Sequence, residues 1–188
     1  NITRAWALHE LSNAYAQAEL WEQAEELTRA IEDQTTRAEA MLDLSGAYAQ
    51  TQHWDQAEAI IRAIEDDNTR FSALLNLGNA YAQAQLLEYA HMTWIKAETL
   101  IPTTEGSYIQ VLALRRLGIA YAQAQFLDEA QIVWTRTETV ISTIEDHYTR
   151  ARALHRLSSA YAQVQFWEQA ETIARAIEVD TILAEALH

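Results

Sequence analysis

Hydrophobic positions recur along the chain at intervals of three and four residues. Leu8, Leu11, Ala14, Tyr15 and Ala18 follow the i, i+3, i+4, i+7 spacing of a helix that buries one face. A second stripe runs through Trp21, Ala24, Leu27 or Thr28, and Ile31. Only Ala18-Glu19-Leu20 separates the two, so they are predicted to fold back on each other as antiparallel neighbours. The pattern then repeats through Met41, Leu44, Ala47 and Tyr48, followed by Trp54, Ala57, Ile60 or Ile61, and Ile64. No window shows the period-two alternation of a strand. Thr36, with Glu39 three residues on, reads as a capping box at the start of the second pair. Thr3, Thr69 and Thr149 stand at equivalent places as simpler N-caps.

The tetrapeptide Ala-Tyr-Ala-Gln marks the repeat, ending at Gln17, Gln50, Gln83, Gln123 and Gln163. Its tyrosines (Tyr15, Tyr48, Tyr81, Tyr121 and Tyr161) are 33, 33, 40 and 40 residues apart. A fixed period in this range is the mark of a stacked array in which each unit buries its apolar face against its neighbours. The expected fold is all-α: a right-handed superhelical solenoid of about five helical hairpins. The units are predicted at about 3–35, 36–68, 69–108, 109–148 and 149–181, with 182–188 beginning a sixth. All 188 residues form one repeat domain in this reading, taken as a piece of a longer protein. Four glycines and a single proline, Pro102, agree with helix nearly throughout.

The third unit carries Leu74, Leu77, Gly78, Tyr81, Leu87, Ala90, Trp94, Ala97 and Pro102 in order. This resembles the tetratricopeptide repeat. The fourth unit keeps Leu114, Leu117, Gly118, Tyr121, Ala130 and Trp134, with Thr137 and Ser142 for the later Ala and Pro. Units one, two and five put Ser12, Ser45 and Ser158 in place of the glycine and end Arg-Ala-Ile-Glu. Ala24, Ala57, Ala90, Ala130 and Ala170 mark where the second helix should press closest to the first. The tyrosine rings should lie between units with their hydroxyls near polar partners.

Tryptophan follows the turn at Trp21, Trp54 and Trp167, whereas units three and four have Leu87 and Leu127 there and place Trp94 and Trp134 seven residues later. Seven residues is close to two helical turns, so both sites lie on one helix face. These two units also have the longer spacing. Their second helix, or the connector after it, is expected to be longer by about two turns. Thr103–Ser107 favours a connector in unit three, while Thr139–Ile144 can remain helical in unit four.

Net charge is −14, from 27 acidic against 13 basic residues, which opposes binding to nucleic acid or anionic membranes. The absence of cysteine rules out disulfides and thiolate metal sites and fits a cytoplasmic, reducing setting. His9-Glu10 lacks the second histidine of a zinc-protease motif, having Asn13 there, and His53, His91, His147 and His155 show no ligand spacing. No enzyme, metal or cofactor is expected. Most tryptophans and tyrosines fall on apolar stripes. Trp6 lies off its stripe and is expected to be exposed.

In tetratricopeptide arrays the first helices of successive units line a concave groove that holds a peptide or helix. The resemblance therefore implies a groove set of Trp6, His9, Asn13, Glu39, Leu42, Ser72, Leu75, Asn79, Leu112, Arg115, Ile119, Arg152, His155, Arg156 and Ser159. The five repeat glutamines either form a polar ladder along one edge or are simply exposed helix ends. Despite the acidic total, Arg115, Arg116, Arg150, Arg152 and Arg156 concentrate on the first helices of units four and five. Arg152 and Arg156, one turn apart, resemble the basic pair of a carboxylate clamp. Asn79 matches a further clamp position, but Leu75 and Ile119 replace polar ones. An acidic or phosphorylated peptide is the favoured partner, with simple pairing of these arginines to nearby glutamates as the competing reading. The function this implies is a protein-interaction scaffold. End-to-end association through Ile2, Trp6, Leu183 and Leu187 is the alternative, or a spacer or sensor array of a multidomain signalling ATPase. RNA binding is disfavoured by charge.

Overall fold

The computed structural model describes residues 2–101 and 108–186, with side chains as far as residue 177. Among them are ten α-helices: α1 (Ile2–Gln17), α2 (Trp21–Ala30), α3 (Gln34–Gln50), α4 (Trp54–Arg62), α5 (Asp67–Gln83), α6 (Leu87–Glu98), α7 (Tyr108–Gln123), α8 (Leu127–Ser142), α9 (His147–Gln163) and α10 (Trp167–Ala186). They pair as hairpins in two compact units, the first spanning Asn1–Leu100 and the second Ile101–His188. In the first, α1 packs on α3 and α3 on α5; in the second, α7 packs on α9. Pro102 and Thr103–Ser107, read above as the connector of unit three, lie outside the described residues.

Each hairpin turns by the same device. The amide of Leu20 donates to the carbonyl of Tyr15 at 2.9 Å and that of Glu19 to Ala16 at 3.0 Å. Residue 19 is left-handed, with φ 58°. This is a Schellman ending, which uses up the last carbonyls of the first helix. The four other turns repeat it, with positive φ at Gln52, Gln85, Gln125 and Gln165. The position that favours glycine is thus filled every time by a long polar residue.

Between hairpins a second motif recurs: Ile-Glu-Asp-x-x-Thr-Arg at 31–37, 64–70 and 144–150. The N-caps are Asp33, Asp66 and Asp146, whose carboxylates accept from the backbone N–H of Thr36, Thr69 and Thr149. These threonines sit three residues inside the helix, so the sequence expectation of threonine caps is corrected. The shorter carboxylate reaches the same orphan amide from the true cap position. The arginine then donates back to the isoleucine carbonyl left open by the preceding helix, in the bonds Arg37 to Ile31, Arg70 to Ile64 and Arg150 to Ile144. After Ile177 this motif is lost, since Val179 stands where the cap aspartate should be and Ile182 where the threonine should be. Accordingly α10 runs unbroken to Ala186, across the place where a sixth unit was expected to begin.

The core stripes are largely those read from spacing. Ala24, Thr28 and Ile31 are buried, as are Ala57, Ile61 and Ile64. In α1 the buried residues are instead Ala5, His9, Ser12 and Ala16, while Leu11 is exposed. Among the described residues α1 packs on α2 and α3 alone, so the side that Leu44, Leu77, Leu117 and Leu157 bury in later units faces solvent at Leu11.

The tryptophan shift has a packing cause. Trp21 stacks on Tyr48 of the next hairpin at 4.4 Å, and Trp54 lies over Tyr81 at 4.5 Å. Trp134, seven residues further along its helix, reaches the equivalent Tyr161 at 4.7 Å. The tyrosine hydroxyls donate to Glu25, Glu58 and Glu138 of the preceding hairpin. Where the tryptophan comes late it needs room: a Cβ on Gly78 or Gly118 would overlap the indole of Trp94 or Trp134. Units one and five have serine there, and its hydroxyl crosses the hairpin to the carbonyl of Ala24 or Ala170. The extra length of unit four is helix, since α8 has 16 residues against 10 in α2 and 9 in α4.

Candidate functional site

The predicted groove residues are divided between the two compact units. On the first unit, α1, α3 and α5 carry Trp6, His9, Asn13, Glu39, Leu42, Leu75 and Asn79. Trp6 is 49% exposed, as its place off the stripe predicted. His9 is buried, and its Nε2 lies 2.9 Å from Asp43 Oδ2. Asn13 donates to the same oxygen at 2.9 Å. These two groove candidates are therefore engaged in joining α1 to α3. Leu75 is only 3% exposed and belongs to the core, a correction to the groove set, while Asn79 is half-buried. Asn13 and Leu42 line a depression of about 390 Å³, whereas Glu39 lines a different one, of about 440 Å³, at the N-terminal ends of α3 and α5.

On the second unit, α7 and α9 contain five arginines and no carboxylate side chain. Arg152 and Arg156 are exposed, as is His155 beside them, while Arg115, Leu112 and Ile119 are half-buried. The Arg152 guanidinium sits 5.1 Å from the ring centre of Tyr108 and 5.8 Å from that of Tyr148. Both rings offer it a negative face. Arg115 is held differently: its Nε is buried without a hydrogen-bond partner. Burial and then the nearby positive charge of Arg156 pull its pKa down, with Tyr108 acting the other way. Arg116 is pulled down by burial and then by Arg115. Since guanidinium stays protonated in proteins, these shifts describe charges crowded together rather than neutralised. Among the described residues, no carboxylate pairs with Arg115, Arg152 or Arg156. Arg150, in contrast, is engaged by the inter-hairpin motif and by His147.

A half-desolvated guanidinium with an unused donor, backed by two more cations, suits an anion that can accept several N–H bonds at once. The sequence pointed to these arginines, but not to Tyr108 and Tyr148, which lie outside the repeat's aromatic positions.

No protein-family model matches this chain, and no curated protein does. It is similar to two solved structures. With MamA AMB-1 it shares 18% identity over 95% of this chain and 92% of that one, at a TM-score of 0.41. With MamA MSR-1 it shares 18% identity over 98% and 99%, at 0.40. Among the described residues no helix is long and apolar enough to cross a membrane.

Proposed function

We propose that this chain is a non-catalytic protein-interaction scaffold, a helical-hairpin array of tetratricopeptide type, whose α7/α9 face holds an acidic or phosphorylated segment of another protein. The observation that carries this reading is the set of three guanidinium groups that have no carboxylate partner among the described residues, in a chain of net charge −14. Keeping cations together and unneutralised costs stability, and an anionic ligand removes that cost. The Arg152 stack on Tyr108 and Tyr148 holds one guanidinium in place before binding. A double-stranded polyanion fits less well, because the rest of the surface would repel it.

The test is fluorescence anisotropy with labelled phosphoserine, polyglutamate and polylysine peptides, at two salt concentrations. The two anionic peptides should bind, more weakly at high salt. Replacing Arg152 and Arg156 together by Glu should weaken binding by about tenfold or more, since each exposed charge pair is worth up to about 1 kcal/mol and the reversed charges repel the ligand. Equal affinity of wild type and variant would refute the reading.

A second reading rests on a different observation. Trp167 is 64% exposed, although its counterparts Trp21 and Trp54 stack on the tyrosine of a following hairpin. Tyr15, which has no preceding hairpin in this chain, is half-buried. End-to-end association would bring such a pair together. A concentration-dependent mass lost in Trp167→Ala would support it.

A further inference from the structure

Gly46 lies in the middle of α3, where glycine weakens a helix. Gly78 and Gly118 repay that weakness by admitting a tryptophan, whereas a Cβ built on Gly46 meets nothing within 4 Å. Its φ is not left-handed and no helix crosses it closely. At the equivalent position the other first helices carry Asn13, Asn79, Ile119 and Ser159. Neither packing nor backbone geometry therefore asks for glycine here.

What the missing side chain does provide is depth. Gly46 forms part of the depression of about 390 Å³ that Asn13, Gln17, Asp43, Gln50 and Asn76 surround. Asp43 is the one carboxylate side chain among them, and its Oδ2 is already occupied by His9 and Asn13. Its Oδ1 makes no hydrogen bond to the described residues, and neither do the side chains of Gln17, Gln50 and Asn76. The lining residues thus present a carboxylate and several amide carbonyls as acceptors and include no lysine or arginine, while His9 contacts only the other carboxylate oxygen. Leu42 and Ala47 add an apolar wall.

We propose that the Gly46 depression binds the side chain of a lysine in an extended peptide. The ammonium would meet Asp43 Oδ1 and the amide oxygens, and the methylene stem would lie over the bare backbone of Gly46 and against Leu42, as long basic side chains do when an apolar surface leads to a polar one. The site lies in the first compact unit, so it stands or falls independently of the arginine face.

The chain has only four glycines, so the Gly46 amide is a well-separated reporter in a nitrogen–proton NMR spectrum. Titration would use acetylated, amidated Gly-Gly-Lys-Gly-Gly, its glutamate counterpart, and the free diamine cadaverine. The lysine peptide should shift the Gly46 amide and the Asn13 and Asn76 side-chain amides in a saturable way, and the glutamate peptide should not. Gly46→Leu fills the depression and Asp43→Asn removes its charge; each should weaken lysine binding by at least about tenfold. Gly46→Ala should fold at least as well as wild type, which keeps a loss of binding separate from a loss of structure. No saturable shift up to about 10 mM lysine peptide would overturn the proposal. So would equal response to the glutamate peptide, or unchanged binding in Gly46→Leu. A response to cadaverine but not to the peptide would overturn the assignment to a protein ligand.

Discussion

The same substitution, glycine to alanine, should have opposite signs at two positions of this protein. In α7, Gly118 faces Trp134, which has no exposed surface and is flanked by Tyr161 at 4.7 Å and by the edge of Phe166 at 5.5 Å. A Cβ there overlaps three atoms of the indole. Alanine gains about 1 kcal/mol of helix propensity over glycine. Overpacking costs about 1–3 kcal/mol, and the boxed ring puts this site at the upper end. Gly118→Ala should therefore destabilise by about 2 kcal/mol net. At Gly46 there is no overlap, so Gly46→Ala should stabilise by about 1 kcal/mol. Urea unfolding followed by circular dichroism measures both, provided the slope with denaturant is unchanged. A cycle sharpens the test. Trp134→Thr alone should cost about 3–5 kcal/mol through the space it leaves. Combined with Gly118→Ser it rebuilds the Ser12–Thr28 hydroxyl pair of the first hairpin, 2.8 Å apart. The double variant should recover about 0.5–3 kcal/mol relative to the sum of the singles. A Gly118→Ala protein with an unchanged or higher urea midpoint, or strict additivity in the cycle, would refute the size-matching argument.

Further outcomes follow from the caps, the tyrosines and the turns. Asp66→Ala removes the side chain that caps α5 and should cost about 1 kcal/mol. Hydrogen bonds from Thr36, Thr69 and Thr149 hold the carboxyls of Asp33, Asp66 and Asp146 below the usual carboxylate range. With folded values below unfolded ones, this stability is present above the ordinary aspartate pKa of about 4 and is lost as pH falls through and below it. The urea midpoint should fall accordingly, and less steeply when all three are Asn. Burial and then the paired glutamate raise the pKa values of Tyr48, Tyr81 and Tyr161. Their contribution is complete below the ordinary tyrosine value of about 10 and is lost as pH rises past it, so ultraviolet titration should show tyrosinate forming together with unfolding. Tyr161→Phe should cost about 1 kcal/mol at neutral pH and soften that alkaline transition. Finally, Gln125 sits at φ 67°, and Gln125→Gly should stabilise by up to about 1 kcal/mol, the relief of a left-handed side chain less the added freedom of the unfolded chain.

The helical pairs were legible because burial against neighbours leaves a period in the sequence, and the shift of tryptophan by seven residues, with the longer spacing, pointed to a longer second helix or connector, which in unit four is helix. Punctuation was less legible. Asp33, Asp66 and Asp146 sit within runs of acidic or polar residues that read as solvated surface, so the threonines three residues later looked like the caps. The hairpin turns carry no Gly or Asn, and nothing in Gln52 or Gln85 announces a left-handed backbone. In both cases a hydrogen bond to a backbone group decides the structure, and such bonds leave no hydrophobic periodicity.

The candidate sites show a related limit. The resemblance put Leu75 and His9 in the groove, yet the first is buried and an aspartate 34 residues along the chain engages the second. Composition likewise gave a charge for the whole chain, while binding depends on which charges lack partners locally. Arg150 and Arg152 are two residues apart on one helix, but Arg150 closes the inter-hairpin motif and Arg152 is left with two tyrosine rings. Gly46 and Gly78 look equally like repeat glycines until the neighbours of a built side chain are counted. The useful question for each recurrent position of such a repeat is therefore what its own hairpin already consumes. What remains after that subtraction, among the described residues, is three guanidiniums without carboxylate partners on one unit and a carboxylate oxygen with unbonded side-chain amides on the other, the groups that the proposed ligands would meet.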